Sequence, residues 1–300
     1  MEKHTSSPFL GGRIFSMDDV TKLKGEDIPP LLLEIPDPPT QLYVRGNLPS
    51  TENKWLTVVG SRAMSPYGRQ ACEHLISGLR GYPVVIVSGL AYGVDATAHK
   101  SALEAGLTTV AVPGSGLDWN VLYPRANVGL AREILKSGGA LLSEFEPKQK
   151  AGDYTFPQRN RIMVGLAHAT LVIEAKERSG SLITARLTAE YNRELLVVPG
   201  SIFSAESRGT HQFLKLGATP VTSPEDILRA LGIKVEEKQK VSRKDISEDE
   251  AQVLEIISEP LSRDELIQTL GLPISEANIL LSMMEIKGLI VEELGVIRAS

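Results

Sequence analysis

Six short apolar runs alternate with helical patterns between residues 55 and 200, and this alternation is the strongest constraint on the fold. The runs are rich in Val, Ile and Leu; they are WLTVVG (55–60), PVVIVSG (83–89), TTVAVPG (108–114), ALLSEF (140–145), ATLVIEA (169–175) and ELLVVPG (194–200). Such runs are typical of parallel strands buried on both faces. The patterns between and after them predict helices over 66–80, 94–105, 128–137, 159–168, 180–193, 209–216 and 224–231. We therefore predict an α/β protein with a doubly wound, mostly parallel sheet.

The length of 300 residues indicates two domains with an additional arm. Residues 233–246 are charged and lack apolar periodicity, which is typical of a linker. Three helical patterns follow, each opening on a serine suited to an N-cap (Ser247, Ser262 and Ser275), and the final residues can form a two-stranded wing. We expect an arm over 1–40, a sheet domain over 41–232, the linker, and a small winged-helix-like domain over 247–300.

Composition and charge exclude several classes of protein. No stretch approaches about 18 consecutive apolar residues, which argues against a membrane span, and no secretory signal is visible. The single cysteine, Cys72, excludes an intrachain disulfide and a cysteine-built zinc site, and the five histidines are scattered. These features predict a cytoplasmic protein without a metal. Charge is uneven, since residues 41–232 carry 20 Lys/Arg against 16 Asp/Glu, whereas residues 245–300 carry 3 against 12.

Small residues follow four of the predicted strands. These groups are Gly60-Ser61-Arg62, Ser88-Gly89, Gly114-Ser115-Gly116 and Ser179-Gly180-Ser181. The carboxyl ends of strands in a doubly wound sheet share one edge, where glycine permits close approach of a ligand and helix N-termini offer N–H groups to an anion. Arg62 adds a guanidinium suited to phosphate. Each loop alone could be a tight turn, but together they predict a phosphate-binding rim.

The rim does not match the common nucleotide motifs. A dinucleotide fingerprint needs G-x-G-x-x-G and an acid at the end of the second strand, but Gly114-Ser115-Gly116 lacks the third glycine and the second strand ends in Ser88-Gly89. The sequence also lacks a P-loop motif. We expect neither NAD nor another cofactor.

An aromatic and basic segment precedes one of the predicted helices. It places Phe156 beside Arg159 and Asn160, and an aromatic face interleaved with guanidinium groups is what single-stranded nucleic-acid grooves use. The alternative is a core phenylalanine at a solvated helix start. Arg125 and Lys176 supply further cations near the same predicted edge.

Candidates for catalysis are few. Asp95 and His99 lie four residues apart on one predicted helix, where Asp95 can equally serve the helix dipole. Glu174 ends a strand without a nucleophile or metal partner. The sequence therefore predicts no enzyme active site.

Seven ordered motifs resemble the DNA-processing protein A (DprA/Smf) family over roughly residues 35–232. They are GSR (60–62), SGLAYGVD (88–95), PGSGLDWNVLYPRAN (113–127), LLSEF (141–145), FPQRNRIMVGLA (156–167), VIEAKERSGSLITA (172–185) and VVPGSIFSAESRGTHQFLKLGA (197–218). The resemblance implies an extended Rossmann-like fold that binds single-stranded DNA, forms a homodimer and loads the RecA recombinase during natural transformation. It implies no catalytic activity.

The family's DNA pocket carries over to residues of this chain. These are Arg62, the backbone of Gly114–Gly116, Arg125, Phe156, Arg159 and the Ser179–Ser181 loop. Several relatives place a lysine three residues before the aromatic, where this chain has Asp153, so Lys148 or Lys150 would have to supply that cation. The resemblance also implies a dimer contact around residues 211–216, with His211, Phe213 and Leu214 as its candidates.

Two other function classes remain open. Related Rossmann-like enzymes cleave nucleoside monophosphates with a PGGxGTxxE motif, which PGSGLDWN (113–120) replaces without the final acid, and a small-nucleotide sensor could use the same rim. The acidity of residues 245–300 argues against contact with a duplex. We expect that domain to bind protein, namely RecA, another subunit or the basic groove of the same chain.

Overall fold

A nine-stranded mixed sheet forms the centre of the larger of two units, Met1–Val235 and Glu236–Ser300. The computed structural model of the chain describes residues 19–235, 246–257, 259–293 and 295–299. In chain order the strands of this sheet are β1 (Thr21–Lys24), β2 (Gln41–Gly46), β3 (Lys54–Val59), β4 (Val84–Ser88), β5 (Thr108–Ala111), β6 (Ala140–Ser143), β7 (Ala169–Val172), β8 (Glu194–Val197) and β9 (Thr219–Pro220).

The strands lie in the order β1-β2-β6-β5-β4-β3-β7-β8-β9. The seven from β6 to β9 run parallel, and β1 and β2 join antiparallel at one edge. This arrangement confirms the predicted mostly parallel sheet. The chain runs outward from β3 through β4 and β5 to β6 on one side, and then returns to β7 on the other. The strand order therefore reverses between β3 and β7, and α/β sheets bind ligands in the crevice at such a point.

Helices cover both faces of this sheet. They are α1 (Pro30–Leu33), α2 (Pro66–Ser77), α3 (Val94–Glu104), α4 (Val128–Lys136), α5 (Thr155–Leu166), α6 (Ser181–Glu190), α7 (Arg208–Lys215) and α8 (Pro224–Ala230). Trp55 and Val59 of β3 belong to one buried cluster with α1, α5, α6 and α7. Leu56 and Val58 belong to a second with α2, α3 and α8. The sheet is thus doubly wound, as predicted, because β3 buries side chains on both faces.

Helix α5 begins four residues before the predicted start at 159. The Thr155 hydroxyl accepts from the Gly152 N–H at 3.1 Å and donates to the Gly114 carbonyl at 2.6 Å, which anchors an earlier first turn. Pro157 fits because the first helical N–H groups have no intrahelical acceptor to lose. The consequence is that Phe156 lies in the first turn of α5, not in a loop.

The predicted arm over 1–40 does not stand apart where the structure describes it. Strand β1 pairs with β2, and Leu23, Ile28 and Leu32 are buried in the cluster that also holds α5. Residues 19–40 are therefore part of the sheet domain, and their burial contributes to its core. Residues 1–18 lie outside the described part of the chain.

The smaller unit has the winged-helix architecture that the sequence predicts. Its elements are α9 (Glu248–Ile256), β10 (Leu261–Ser262), α10 (Arg263–Leu270), α11 (Ile274–Ile286), β11 (Ile290–Glu293) and β12 (Val296–Ala299), with strand order β10-β12-β11. It has its own core, built around Val253, Leu266, Leu281 and Ile297. Residues 236–245 of the predicted linker lie outside the described residues.

Two of the three predicted serine caps are present. Ser247 and Ser262 form capping boxes with Glu250 and Glu265 at the starts of α9 and α10. Ser275 is not a cap, because α11 begins at Ile274 directly after Pro273, which places Ser275 inside the first turn.

No helix in the described ranges is both long enough and apolar enough to span a bilayer. The same ranges contain no group of three or more His, Cys, Asp or Glu side chains placed to hold a metal ion.

Candidate nucleic-acid interface

A groove of about 350 Å³ opens at the carboxyl ends of β3 and β7, where the strand order reverses. The loop after β3, the first turns of α5 and the start of α6 line it. Its lining includes Gly60, Ser61, Arg62, Ala91, Asp95, Phe156, Arg159, Asn160, Lys176, Ser179, Gly180 and Ser181. We call this the groove. Ten of the sixteen lining residues are predicted site residues; the others are Val59, Ala63, Ala91, Asp95, Met163 and Thr184.

The loop after β3 projects Arg62 into the groove. A Cβ at Gly60 would lie 2.6 Å from Val94, so the turn requires glycine there. The Ser61 hydroxyl accepts from the Ala63 N–H at 3.2 Å and holds the turn. The Arg62 guanidinium lies 5.0 Å from the Phe156 ring centroid, and no described carboxylate pairs with it. Its charge is therefore available to a ligand.

The start of α6 supplies donors for an anion. The N-cap of α6 is Gly180, which has no side chain to cap the helix. Within the described residues, the Gly180 and Ser181 N–H groups donate to no acceptor. The Ser179 hydroxyl oxygen is buried without a partner, whereas the Ser181 hydroxyl donates to the Gly60 carbonyl at 2.8 Å. Uncapped N–H groups and the helix dipole favour a phosphate here.

Lys176 lies at the rim of the groove and pairs with Glu206 at 2.9 Å. The lysine is exposed, so this ion pair contributes little to stability and can exchange for a phosphate.

Arg159 and Asp95 form a buried frame beneath the groove. The Arg159 guanidinium donates to the Gly89 and Val112 carbonyls, and its Nε donates to Asn160 Oδ1 at 3.1 Å. Burial lowers the pKa of Arg159 to about 10. Burial raises the pKa of Asp95, against the effect of the nearby Arg159 charge. Arg159 therefore braces the loop after β4 rather than offering a solvent-exposed cation.

Aromatic side chains continue from the groove into a smaller neighbouring cleft. The Phe156 ring rests on Gly114, where a Cβ would lie 2.5 Å from the ring. Tyr123 lies 6.0 Å from Phe156, centroid to centroid, at 51°. The cleft is lined by Arg62, Gly89, Ala91, Tyr92, Tyr123, Pro124, Phe156 and Arg159, and we call it the tyrosine cleft. Tyr92 and Tyr123 are not among the predicted site residues, although both follow strand-end groups of small residues, Ser88-Gly89 and Gly114-Ser115-Gly116.

Five predicted site residues do not line either cleft. Ser88 is buried and donates its hydroxyl to the Val58 carbonyl at 2.7 Å. Gly114, Ser115 and Gly116 are buried under Phe156 and residues 146–149, with the Gly116 N–H bonded to the Gln149 carbonyl. Arg125 is exposed, but its guanidinium donates to the Trp119 carbonyl. These residues stabilise the loops next to the two clefts through internal contacts.

The predicted dimer residues lie on α7 with different exposures. Phe213 is 6% exposed and belongs to the core, so it cannot supply an interface. Leu214 packs partly against the same core, and a His211 ring nitrogen lies 3.0 Å from the Gly200 carbonyl. The exposed apolar residue of this segment is Leu216, at 80%.

The catalytic candidates are engaged in internal bonds. His99 is fully buried, with Nδ1 2.7 Å from the Thr109 hydroxyl, and burial lowers the pKa of His99 to about 3. Glu174 accepts from the Ser65 N–H and hydroxyl at the start of α2. Cys72 is also buried, which raises the pKa of its thiol.

Comparison with known proteins matches each of the two units to a family model. A family model described as DNA recombination-mediator protein A matches residues 19–232, and one described as DprA winged helix domain matches residues 237–295. Protein Smf of Escherichia coli is 47% identical over 210 residues, which cover 69% of this chain and 54% of that protein. DNA processing protein DprA of Streptococcus pneumoniae is 44% identical over 197 residues, which cover 66% and 68%. The chain thus spans about half the length of the Escherichia coli relative.

Two solved structures share the fold. The X-ray structure of DNA processing protein A from Streptococcus pneumoniae superposes with a TM-score of 0.66 at 39% identity, covering 73% of this chain and 76% of that one. A structure from Helicobacter pylori, described as showing a single-stranded DNA binding mode of DNA processing protein A, gives 0.62 at 29% identity, covering 71% and 95%.

Proposed function

The chain belongs to the DNA recombination-mediator protein A family, and from this premise we propose that it binds single-stranded DNA in the groove. The observation that carries the proposal is the contact of the Arg62 guanidinium with the Phe156 ring, beside the uncapped start of α6. This arrangement offers a flat stacking surface for a base and N–H donors for its phosphate within one groove.

The geometry favours single strands because stacking requires an unpaired base. A duplex hides its base faces, so it could use only the phosphate donors. The Helicobacter pylori relative, whose structure concerns single-stranded DNA binding, supports the same choice of ligand.

We also propose that the bound strand is passed to the RecA recombinase during natural transformation, in the cytoplasm. The family's description as a recombination mediator supports this role. The measurement is RecA filament assembly on single strands already covered by a single-strand-binding protein. Assembly should accelerate when this chain is added, and an unchanged rate would contradict the role.

A homodimer is part of the proposal. Ile202, Phe203 and Leu216 are strongly exposed apolar side chains; the first two lie in the loop between β8 and α7, and Leu216 directly follows α7. They suit a contact between copies better than the buried Phe213 does. Sedimentation should show a dimer that Phe203→Glu weakens; a wild-type monomer well above micromolar concentration would contradict it.

The winged-helix unit is proposed to bind protein, not DNA. Two of its cations are held in ion pairs, Arg263 with Glu285 and Glu292, and Lys287 with Glu250. Its longest helix, α11, exposes Ile279, Met283 and Ile286. An apolar stripe of this kind is suited to a protein partner.

The decisive experiment compares single- and double-stranded oligonucleotides of one sequence by fluorescence anisotropy at one salt concentration. Preference for the single strand supports the proposal, and equal affinity contradicts it. We assign no catalytic step, since His99 and Glu174 are engaged internally. Hydrolysis of nucleoside monophosphates by the purified chain would favour the enzyme alternative.

A further inference from the structure

Resting on the proposed function, we propose that Tyr92 and Tyr123 form a second base-binding subsite. The bound strand would cross the Arg62–Phe156 contact and stack a further base on the tyrosine rings. The groove and the tyrosine cleft would then hold successive nucleotides of one strand.

Both tyrosine rings are exposed, and their hydroxyl groups do not hold the fold together. Tyr92 is 47% exposed and Tyr123 is 41% exposed. Neither hydroxyl makes a hydrogen bond within the part of the chain that the structure describes. By contrast, the Tyr67 hydroxyl donates to the Pro199 carbonyl at 2.6 Å. Exposed aromatic rings next to a binding groove indicate contact with a ligand.

The loop that carries Tyr92 is held in place. Asp95 accepts from the Gly89 and Ala91 N–H groups at 3.1 and 3.3 Å. The Asn127 amide donates to the Leu90 and Ala91 carbonyls at 2.8 and 3.1 Å. Leu90 itself has a φ of 60°, a conformation that branched residues rarely adopt and that persists only where surrounding contacts enforce it. The loop is therefore organised before a ligand arrives.

The tyrosine cleft is continuous with the groove. The two share Arg62, Ala91, Phe156 and Arg159. Tyr123 lies 6.0 Å from Phe156, so a base stacked on the Arg62–Phe156 contact has the Tyr123 ring as its neighbour. The volume of the cleft, about 10 Å³, admits about one water molecule, so a base would lie across the ring faces and not enter between them.

The charges of the tyrosine cleft match a nucleic acid. Among the described residues that line it, Arg62 supplies an available positive charge, Arg159 is buried against the Gly89 and Val112 carbonyls, and no residue is a carboxylate. An apolar or acidic peptide could also contact these rings. Nucleic acid is favoured because the cleft adjoins the phosphate donors of the groove through Arg62.

The test uses the full chain and oligothymidylates of increasing length. We expect Tyr92→Ala combined with Tyr123→Ala to weaken binding of a long oligothymidylate about tenfold and to leave the shortest one that binds unaffected. Tyr92→Phe with Tyr123→Phe should restore the affinity, since the ring and not the hydroxyl makes the contact. Tyr154→Ala is the matched control, because Tyr154 is 63% exposed and lines neither cleft.

A second measurement does not depend on the folding of a variant. A strand carrying iodouracil at successive positions is irradiated on the wild-type chain, and the cross-linked residue is mapped by mass spectrometry. Cross-links to Tyr92 or Tyr123 from a position next to the one that reaches Phe156 support the subsite. If the wild type binds single strands but gives neither the cross-links nor the length-dependent loss, the subsite is wrong. If the wild type binds no single strand, the proposed function itself fails.

Discussion

Two surfaces of the molecule are candidates for DNA by their folds, the groove of the larger unit and the α11 face of the winged-helix unit. In the groove, Arg62 has an aromatic neighbour and no carboxylate partner among the described residues. On the smaller unit, Glu285 and Glu292 hold Arg263, and Glu250 holds Lys287 at 2.6 Å. Both surfaces have cations nearby, and Lys176 of the groove is itself paired with Glu206, but Arg62 can reach a phosphate without first breaking an ion pair to a described carboxylate.

The difference shows that a DNA-binding fold does not by itself supply the surface charge that DNA binding requires. Winged helices commonly read a major groove with one helix, and affinity for DNA comes largely from phosphate contacts. Here α11 exposes Ile279, Met283 and Ile286 instead. The described residues of the unit keep the architecture, but Arg263 and Lys287 are paired with carboxylates, which supports the proposal that DNA binds in the larger unit.

Among the substitutions that test the contrast between the two surfaces, Arg62→Ala should reduce single-strand affinity the most. The variant loses a charge-assisted contact with phosphate, so single-strand affinity should fall by about 2–3 kcal/mol, or about 30- to 150-fold. One lost phosphate contact should also lower the slope of log affinity against log salt by about 0.7. Titrations at several salt concentrations measure both quantities.

Arg69→Ala is the control for that experiment. Arg69 is an exposed arginine of α2 that does not line the groove. Its removal changes the net charge equally, so an equal loss of affinity would mean that general charge, not the Arg62 site, binds the strand.

A smaller effect is expected from Phe156→Ala. Loss of the stacking surface should weaken binding by about 1–2 kcal/mol with little change in salt slope, because stacking releases few counterions. The ring also supports the Arg62 guanidinium, so the two substitutions should couple by about 0.5–1 kcal/mol in a double-mutant cycle. Additive losses would show that the Arg62–Phe156 contact plays no part in binding.

The sequence predicted the sheet and the groove better than it predicted the roles of the residues. Runs such as PVVIVSG locate buried strands because burial on both faces leaves no polar position. The sequence does not reveal which way a strand-end side chain points. Ser88 therefore turns out to bond the Val58 carbonyl, and Arg159 lies under the groove as a brace. Both side chains bond carbonyl groups that are distant in sequence. A local sequence pattern does not show which distant carbonyl groups will lie nearby in the fold.

The two units should also differ in their response to acid. His99 is buried and its pKa is lowered to about 3, so unfolding lets it take up a proton below its ordinary value of 6.5. The free energy of unfolding of the larger unit should therefore fall by about 1 kcal/mol as the pH drops from roughly 7 to 5.5. Burial also lowers the pKa of His168, which adds a loss of the same sign.

The smaller unit should resist the same change. Residues 236–300 contain no histidine. A hydrogen bond from Lys287 lowers the pKa of Glu250, so its contribution is lost only as the pH falls below the ordinary glutamate value of 4.5. Trp55 and Trp119 both lie in the larger unit, so denaturant titrations followed by tryptophan fluorescence report that unit alone. A pH dependence that His99→Gln leaves unchanged would contradict the assignment to His99.

The smallest effect, close to none, is expected from removing the winged-helix unit. The larger unit contains the complete groove and its own buried clusters, so a chain ending at Val235 retains every residue of the proposed DNA site and the residues that pack on those clusters. Residues 236–300 carry 7 Lys/Arg against 14 Asp/Glu, and Arg263 and Lys287 among them are engaged with carboxylates, so truncation removes more negative than positive charge. The dissociation constant for single strands should therefore change by less than about twofold, and the salt slope should stay the same. A full-length chain in which Ile279, Met283 and Ile286 are all changed to Ser should bind single strands equally well. A tenfold loss on truncation that the triple variant reproduces would assign the α11 face to the DNA site, and the contrast between the two units would fail.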